Sequence, residues 1–248
     1  MSNESLFMLR AEFDELALMR FADRSGLNLR VADGGYILHA ATRALFGDAA
    51  PRPFAARDDR ARRLTLYGYA SVDHHELAER ARALADPLAL DALVPDSLCS
   101  KAMPAAWRAG ALYRFTARVC PIVRISGRAG GEGPRETDAF LHQCLRAGPD
   151  VFVDRQAVYR DWLARELARD GAARLPRIGE VRLTRFQRQR LARRDRSGPD
   201  TRLRRCERPD ATLEGVLEVG SPAAFAALLR RGLGRHRAFG FGMLLLSH

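Results

Sequence analysis

Gly232-Leu233-Gly234-Arg235-His236-Arg237-Ala238-Phe239-Gly240-Phe241-Gly242, followed at once by Met243-Leu244-Leu245-Leu246, is the stretch that decides the fold. It reads as glycine-apolar-glycine, five residues carrying three basic side chains, glycine-apolar-glycine, then an apolar strand. Upstream, Ser221-Pro222 supplies an N-cap and a first-turn proline, and Gly232 stands where a terminal glycine ends a helix. The order is therefore helix, glycine loop, strand. A dinucleotide or Walker loop needs strand, loop, helix, and no Gly-Lys-Ser/Thr is present. Glycines allow close backbone approach, and Arg235, His236 and Arg237 add charge. The set Gly232, Gly234, Arg235, His236, Arg237, Gly240 and Gly242 thus suits a nucleic-acid phosphate backbone rather than a nucleotide cofactor.

The charge balance agrees. The net charge is +11, and of 41 basic residues all but Lys101 are arginine. A strongly basic chain has acidic polymers among its natural partners. Cys99, Cys120, Cys144 and Cys206 show no C-x-x-C spacing, so neither a zinc site nor a disulfide framework is expected. Residues 1–13 lack a basic leader before an apolar run, and no run of about 18 apolar residues occurs. These features predict a cytoplasmic protein with no membrane contact, no metal and no cofactor.

Working back from the loop, the periodicity predicts strands over 6–13, 63–69, 111–123, 181–191 and 211–219. Helices are expected over 36–46, 75–84 and 155–168, the last capped by Asp154 with Val158, Trp162 and Leu167 facing inward, and a short helical piece over 140–145. Residues 14–33 read as a long connection, 86–110 as irregular with three prolines, and 125–153 as an insertion. Each half reads β-α-β-β-α-β. The expected fold is α+β, two tandem ferredoxin-like units over 1–108 and 109–248, the second carrying an arginine-rich hairpin.

Two clusters carry candidate chemistry. At about 100° per residue, Tyr36, His39 and Arg43 fall in one sector of a helix whose opposite face is Ile37, Leu38, Ala41, Ala44 and Leu45. A phenol, an imidazole and a guanidinium suit RNA cleavage without a metal. His39 would take the 2′-OH proton or protonate the leaving 5′-oxygen, Tyr36 would position the phosphate or assist proton transfer, and Arg43 would neutralise charge on the phosphorane. His74, His75 and His142 have no metal-ligand company, and His236 reads as a phosphate contact. The second cluster is the run of arginines between 182 and 208. Simple alternation places Arg182, Arg188, Arg190 and Arg194 on one side, with Arg193 beside them, to track an RNA stem. Tyr67, Tyr69, Phe115 and Phe186 are left without a role.

These residues resemble the RAMP superfamily of CRISPR proteins, and within it the repeat-processing endoribonucleases of the CasE kind. The resemblance rests on the 232–242 loop between helix and strand, on Tyr36-Ile37-Leu38-His39 followed by Pro51-Arg52-Pro53-Phe54, and on Tyr113 to Pro121. It implies an endoribonuclease that cuts precursor CRISPR RNA within the repeat hairpin. The products would be a 2′,3′-cyclic phosphate or 3′-phosphate and a 5′-OH. The enzyme would stay on the mature crRNA beside other effector-complex subunits. The 14–33 and 125–153 segments depart from compact members, leaving type I-E and a type IV counterpart both open. The rival reading is a non-catalytic RAMP-type subunit that binds crRNA. A generic basic RNA-binding protein explains the charge but not the loop.

Overall fold

The structure, a computed structural model, describes residues 5–27, 33–59, 62–125, 135–195 and 202–247; side chains of 192–195 and 202–205 and of Asp59 lie outside that description. The first unit runs β1 (Phe7–Asp14), α1 (Glu15–Arg24), α2 (Gly34–Phe46), β2 (Phe54–Asp59), β3 (Arg63–Ala70), α3 (His74–Leu84), α4 (Pro87–Ala92) and β4 (Cys99–Ala102). Its sheet is antiparallel in the order β2-β3-β1-β4. The second unit runs β5 (Leu112–Val119), β6 (Ile122–Ile125), β7 (Arg135–Asp138), α5 (Ala139–Ala147), α6 (Arg155–Ala168), β8 (Ala173–Arg174), β9 (Arg182–Asp195), β10 (Arg202–Val219), α7 (Pro222–Arg231) and β11 (Leu244–Ser247). Its main sheet is β11-β5-β10-β8, with β9 also paired to β10, while β6 and β7 form a separate ribbon. Both sheets place the last strand beside the first and the first beside the third. That is the ferredoxin-like arrangement, twice over.

Three expectations about elements change. The 14–33 stretch contains α1, capped by Asp14 and burying Leu18, Phe21 and Ala22; interspersed Glu15, Arg20 and Arg24 mask that periodicity. Within 86–110, Pro87 opens α4 behind the Asp86 cap, and Cys99–Ala102 pairs with β1 as a short, exposed strand. On α6 the buried set is Tyr159, Trp162, Leu163 and Leu167, with Val158 only partly covered.

The arginine hairpin also needs a correction. Leu183 pairs with Leu213 but Arg185 pairs with Thr212, leaving Thr184 as the extra residue of a bulge. A bulge reverses the alternation beyond it. Arg188 and Arg190 therefore share the face of Leu183 and Phe186, whereas Arg182 shares the opposite face with Gln187 and Gln189. Arg193 and Arg194 pair in register with Arg204 and Leu203, and the expectation about their side chains lies outside the described residues.

The two units share apolar surface. Tyr69 of β3 is 1% exposed and packs in the same cluster as Phe115, Leu213 and Leu244 of the second unit. Its hydroxyl donates to the Leu244 carbonyl at 2.9 Å, and burial pushes the phenol's pKa well up, so it remains a donor. Tyr69 and Phe115 are core rather than base-stacking surface. Among the described residues, no helix is long and apolar enough to cross a membrane.

Candidate active site

Helix α2 starts at Asp33, whose carboxylate accepts from the Gly35 amide at 2.8 Å. Leu38, Ala41, Leu45 and Phe46 bury its inner face. The helix thereby turns His39 and Arg43 into a cleft of about 490 Å³ at the seam between the units. The cleft is also lined by Arg52, Tyr69, Ser71 and, from α7, Arg230. The His39 ring lies nearly parallel to Phe54, 5° apart in plane with centroids 6.4 Å apart. Burial, then the charges of Arg52 and Arg43, hold its pKa below the usual histidine value of 6.5. The free protein therefore presents a neutral imidazole, able to accept a proton, near neutral pH.

The three residues of the predicted sector part company. Arg43 reaches the cleft and donates to Asp48 Oδ1 at 2.8 Å. Tyr36 stays beside His39, with ring centroids 6.5 Å apart, but stacks on Phe239 of the glycine loop at 5.2 Å.

That loop is wedged between the units. Gly232, Gly234, Gly240 and Gly242 all have positive φ. A Cβ on Gly242 would stand 2.2 Å from the Leu233 carbonyl oxygen, and one on Gly234 would stand 2.9 Å from the Trp162 ring. From the other side, a Cβ on Gly35 would stand 2.3 Å from the Phe239 carbonyl oxygen. The amides of Leu233, Phe239, Gly240 and Gly242 donate to backbone carbonyls, and that of Gly234 to Glu166 at 3.2 Å. These five amides are thus committed within the protein, and the glycines permit a tight turn between packed surfaces. Gly234→Ala is expected to lose about 1–2 kcal/mol of stability from left-handed backbone alone. Thermal denaturation tests this, and an unchanged Tm would show that residue 234 accepts a Cβ without backbone strain.

The loop's cations have partners too. Arg235 Nε lies 2.7 Å and His236 Nε2 2.9 Å from the Glu136 carboxylate, and Arg208 Nη2 meets the same group at 3.2 Å. Burial alone would raise Glu136, but His236, Arg235 and Arg208 together hold its pKa below the ordinary value. Burial lowers His236 despite the pull of Glu136. Since a carboxylate only accepts, the His236 Nε2 carries the proton of that bond. Arg237 donates to the Arg231 carbonyl.

Arg118 of β5 joins loop and hairpin. Its Nε and Nη2 meet the fully buried Asp210 at 2.9 and 3.0 Å, Nη2 also reaches Gln189 Oε1 at 2.8 Å, and Nη1 reaches the Phe239 carbonyl at 3.3 Å. Its guanidinium lies 4.4 Å from the Phe241 ring centroid. Arg52, Arg118 and Glu136 were not picked out by sequence reasoning. The strand carries two arginines, Arg114 and Arg118, at positions alternating with buried Phe115, Ala117 and Val119, so alternation alone does not single out Arg118. Arg190 and Arg182 are exposed, and Arg188 is paired loosely with Glu207 at 3.5 Å.

Two ferredoxin-like units, closed on each other by a glycine loop and opening a basic cleft at their seam, define the tandem ferredoxin-like class. The CRISPR associated protein family matches residues 7–248, and the chain belongs to that family. Similar solved structures include a CRISPR endoribonuclease Cse3 bound to a 19-nucleotide RNA, at 20% identity and TM-score 0.63 over 98% of this chain and 100% of that one. Thermus thermophilus Cse3, bound to an RNA representing a pre-cleavage complex, aligns at 21% identity and TM-score 0.62 over 98% of this chain and 100% of that one. Cas6e from Escherichia coli K-12 aligns at 15% identity and TM-score 0.52 over 97% of this chain and 98% of that one. At these identities the likeness is one of fold. No curated protein matches by sequence.

Proposed function

We propose that this protein is a metal-independent endoribonuclease of the CasE kind that cleaves precursor CRISPR RNA within the repeat hairpin. The observation that carries the reading is His39, kept neutral by burial and by Arg52 and Arg43, lining a cationic cleft between the two units. The imidazole removes the ribose 2′-OH proton, and the oxygen attacks the adjacent phosphorus. The P–O5′ bond breaks, leaving a 2′,3′-cyclic phosphate and, once the leaving oxygen is protonated, a 5′-OH. Tyr36 is near enough to His39 to orient the phosphate or return that proton. Arg43 supplies positive charge at the same cleft. The RNA-bound Cse3 structures support the substrate class, and the similarity to a CRISPR RNA-guided surveillance complex chain supports retention in an effector complex. A cytoplasmic location and a division between units near residues 108 and 109 belong to the same proposal. Incubating the protein with a radiolabelled cognate repeat RNA, with and without EDTA, tests it. Cleavage in EDTA with a cyclic-phosphate end is expected, and binding without cleavage would make it a non-catalytic crRNA-binding subunit.

The hairpin grip is tested separately. Arg188→Ala with Arg190→Ala should weaken RNA hairpin binding and reduce the slope of log K against log salt by roughly 0.7–0.9 for each phosphate no longer neutralised. Cleavage at saturating enzyme should persist, since the cleft is built by other residues. An unchanged affinity and slope would place the RNA elsewhere.

A further inference from the structure

The cleft that holds His39 contains two exposed cations of different standing. Arg43 already donates to Asp48 at 2.8 Å. Arg52 lines the same cleft, is exposed, and among the described residues no carboxylate forms an ion pair with it. Its backbone is held unusually firmly for an exposed arginine. The residue stands between buried Pro51 and Pro53, whose rings fix φ on either side. Its amide donates to the Tyr69 carbonyl at 2.8 Å, and the Tyr69 amide donates back to Pro53 O at 3.0 Å. Tyr69 is itself tied to Leu244, so the turn is anchored to both units. Pro51 packs so closely on β3 that a Cβ on Gly68 would stand 2.6 Å from the proline Cβ.

An uncompensated guanidinium on a firmly anchored backbone, lining the same cleft as an imidazole, is suited to an anion that must be held relative to that imidazole. Guanidinium matches two phosphate oxygens at once, whereas a paired Arg43 must first give up Asp48. We propose that Arg52 is a catalytic residue: it binds the non-bridging oxygens of the scissile phosphate and stabilises the charge that grows on them as the 2′-oxygen attacks. This rests on the nuclease reading above. The forward step makes the O2′–P bond and breaks the P–O5′ bond, and Arg52 remains protonated throughout.

The test is single-turnover cleavage of a cognate repeat hairpin at saturating enzyme, with affinity measured in parallel. Arg52→Ala should slow cleavage by roughly 10²–10³-fold, the usual loss for one donor to a developing oxyanion, with a Kd change of only a few-fold. Arg52→Lys should recover part of the rate, because lysine keeps the charge without the fork. Millimolar guanidinium should partly restore Arg52→Ala and leave His39→Ala unrestored, an outcome that a merely structural role would not give. A wild-type rate in Arg52→Ala alongside an inactive His39→Ala overturns the role of Arg52 alone. So does a loss that neither lysine nor guanidinium relieves. A His39→Ala variant that cuts normally while Arg52→Ala does not overturns the histidine's role and leaves that of Arg52 standing. A wild type that binds the hairpin without cutting it overturns both.

Discussion

Replacing His39 with alanine is expected to slow cleavage of a cognate repeat RNA by roughly two to four orders of magnitude, the range for loss of a general base or acid. Hairpin affinity should barely move, because the imidazole is half-buried against Phe54 and the phosphate-seeking charges around it remain. The wild-type pH profile carries the sign. With its pKa lowered by burial, Arg52 and Arg43, His39 loses its proton below the ordinary 6.5. As a base it is then competent above that lowered value, so kcat/KM should fall only as pH drops below it. Rapid-quench measurements from mildly acidic to neutral pH check both points. An acid limb centred above 6.5, or normal cutting by His39→Ala, would assign proton removal to another group.

The second large effect is on stability. Arg118→Ala would strand the Asp210 carboxylate, which is 0% exposed and, among the described residues, would retain only Gln187 Nε2 as a side-chain donor. Breaking a buried pair from one side destabilises by about 3–5 kcal/mol. At roughly 2–4 °C per kcal/mol for a chain of this size, Tm should fall by about 6–20 °C. Adding Asp210→Asn to Arg118→Ala should recover part of the loss, since the stranded charge is gone. A Tm within a degree or two of wild type in the single variant would show that water reaches Asp210 and that the network is not closed. The same variant frees the Phe239 carbonyl, and with it the stack beneath Tyr36.

Much of this arrangement is legible in the sequence where chemistry is local. Ser221-Pro222 and Gly232 mark the last helix because caps and left-handed glycines act within a turn. His39 and Arg43 come out on the open side of α2 because its buried face is periodic, while Tyr36 is covered by Phe239 of the loop. The failures are all non-local. Short β4 has no buried face of its own and exists because β1 offers it an edge. Arg182 parts from Arg188 because of a bulge opposite Thr212, which no alternation rule foresees. Arg52 gains its place from Tyr69 and the cleft, and Glu136 from cations contributed by β10 and the glycine loop. Such partners meet only after folding, so charge and spacing along the chain do not reveal them.

The wedge formed by the glycine loop has a consequence for the order of synthesis. Helix α2 is among the earliest segments made, yet the peptide that abuts its first turn, Phe239–Gly240, follows some two hundred residues later. At about 5–20 residues per second on the ribosome, the interval is on the order of 10–40 s. Until the loop emerges, Tyr36 lacks its stacking partner and the seam that forms the cleft lacks Arg230. A nascent chain thus carries its imidazole long before it carries a site, and the growing polypeptide passes through translation beside messenger RNA with its chemistry unassembled.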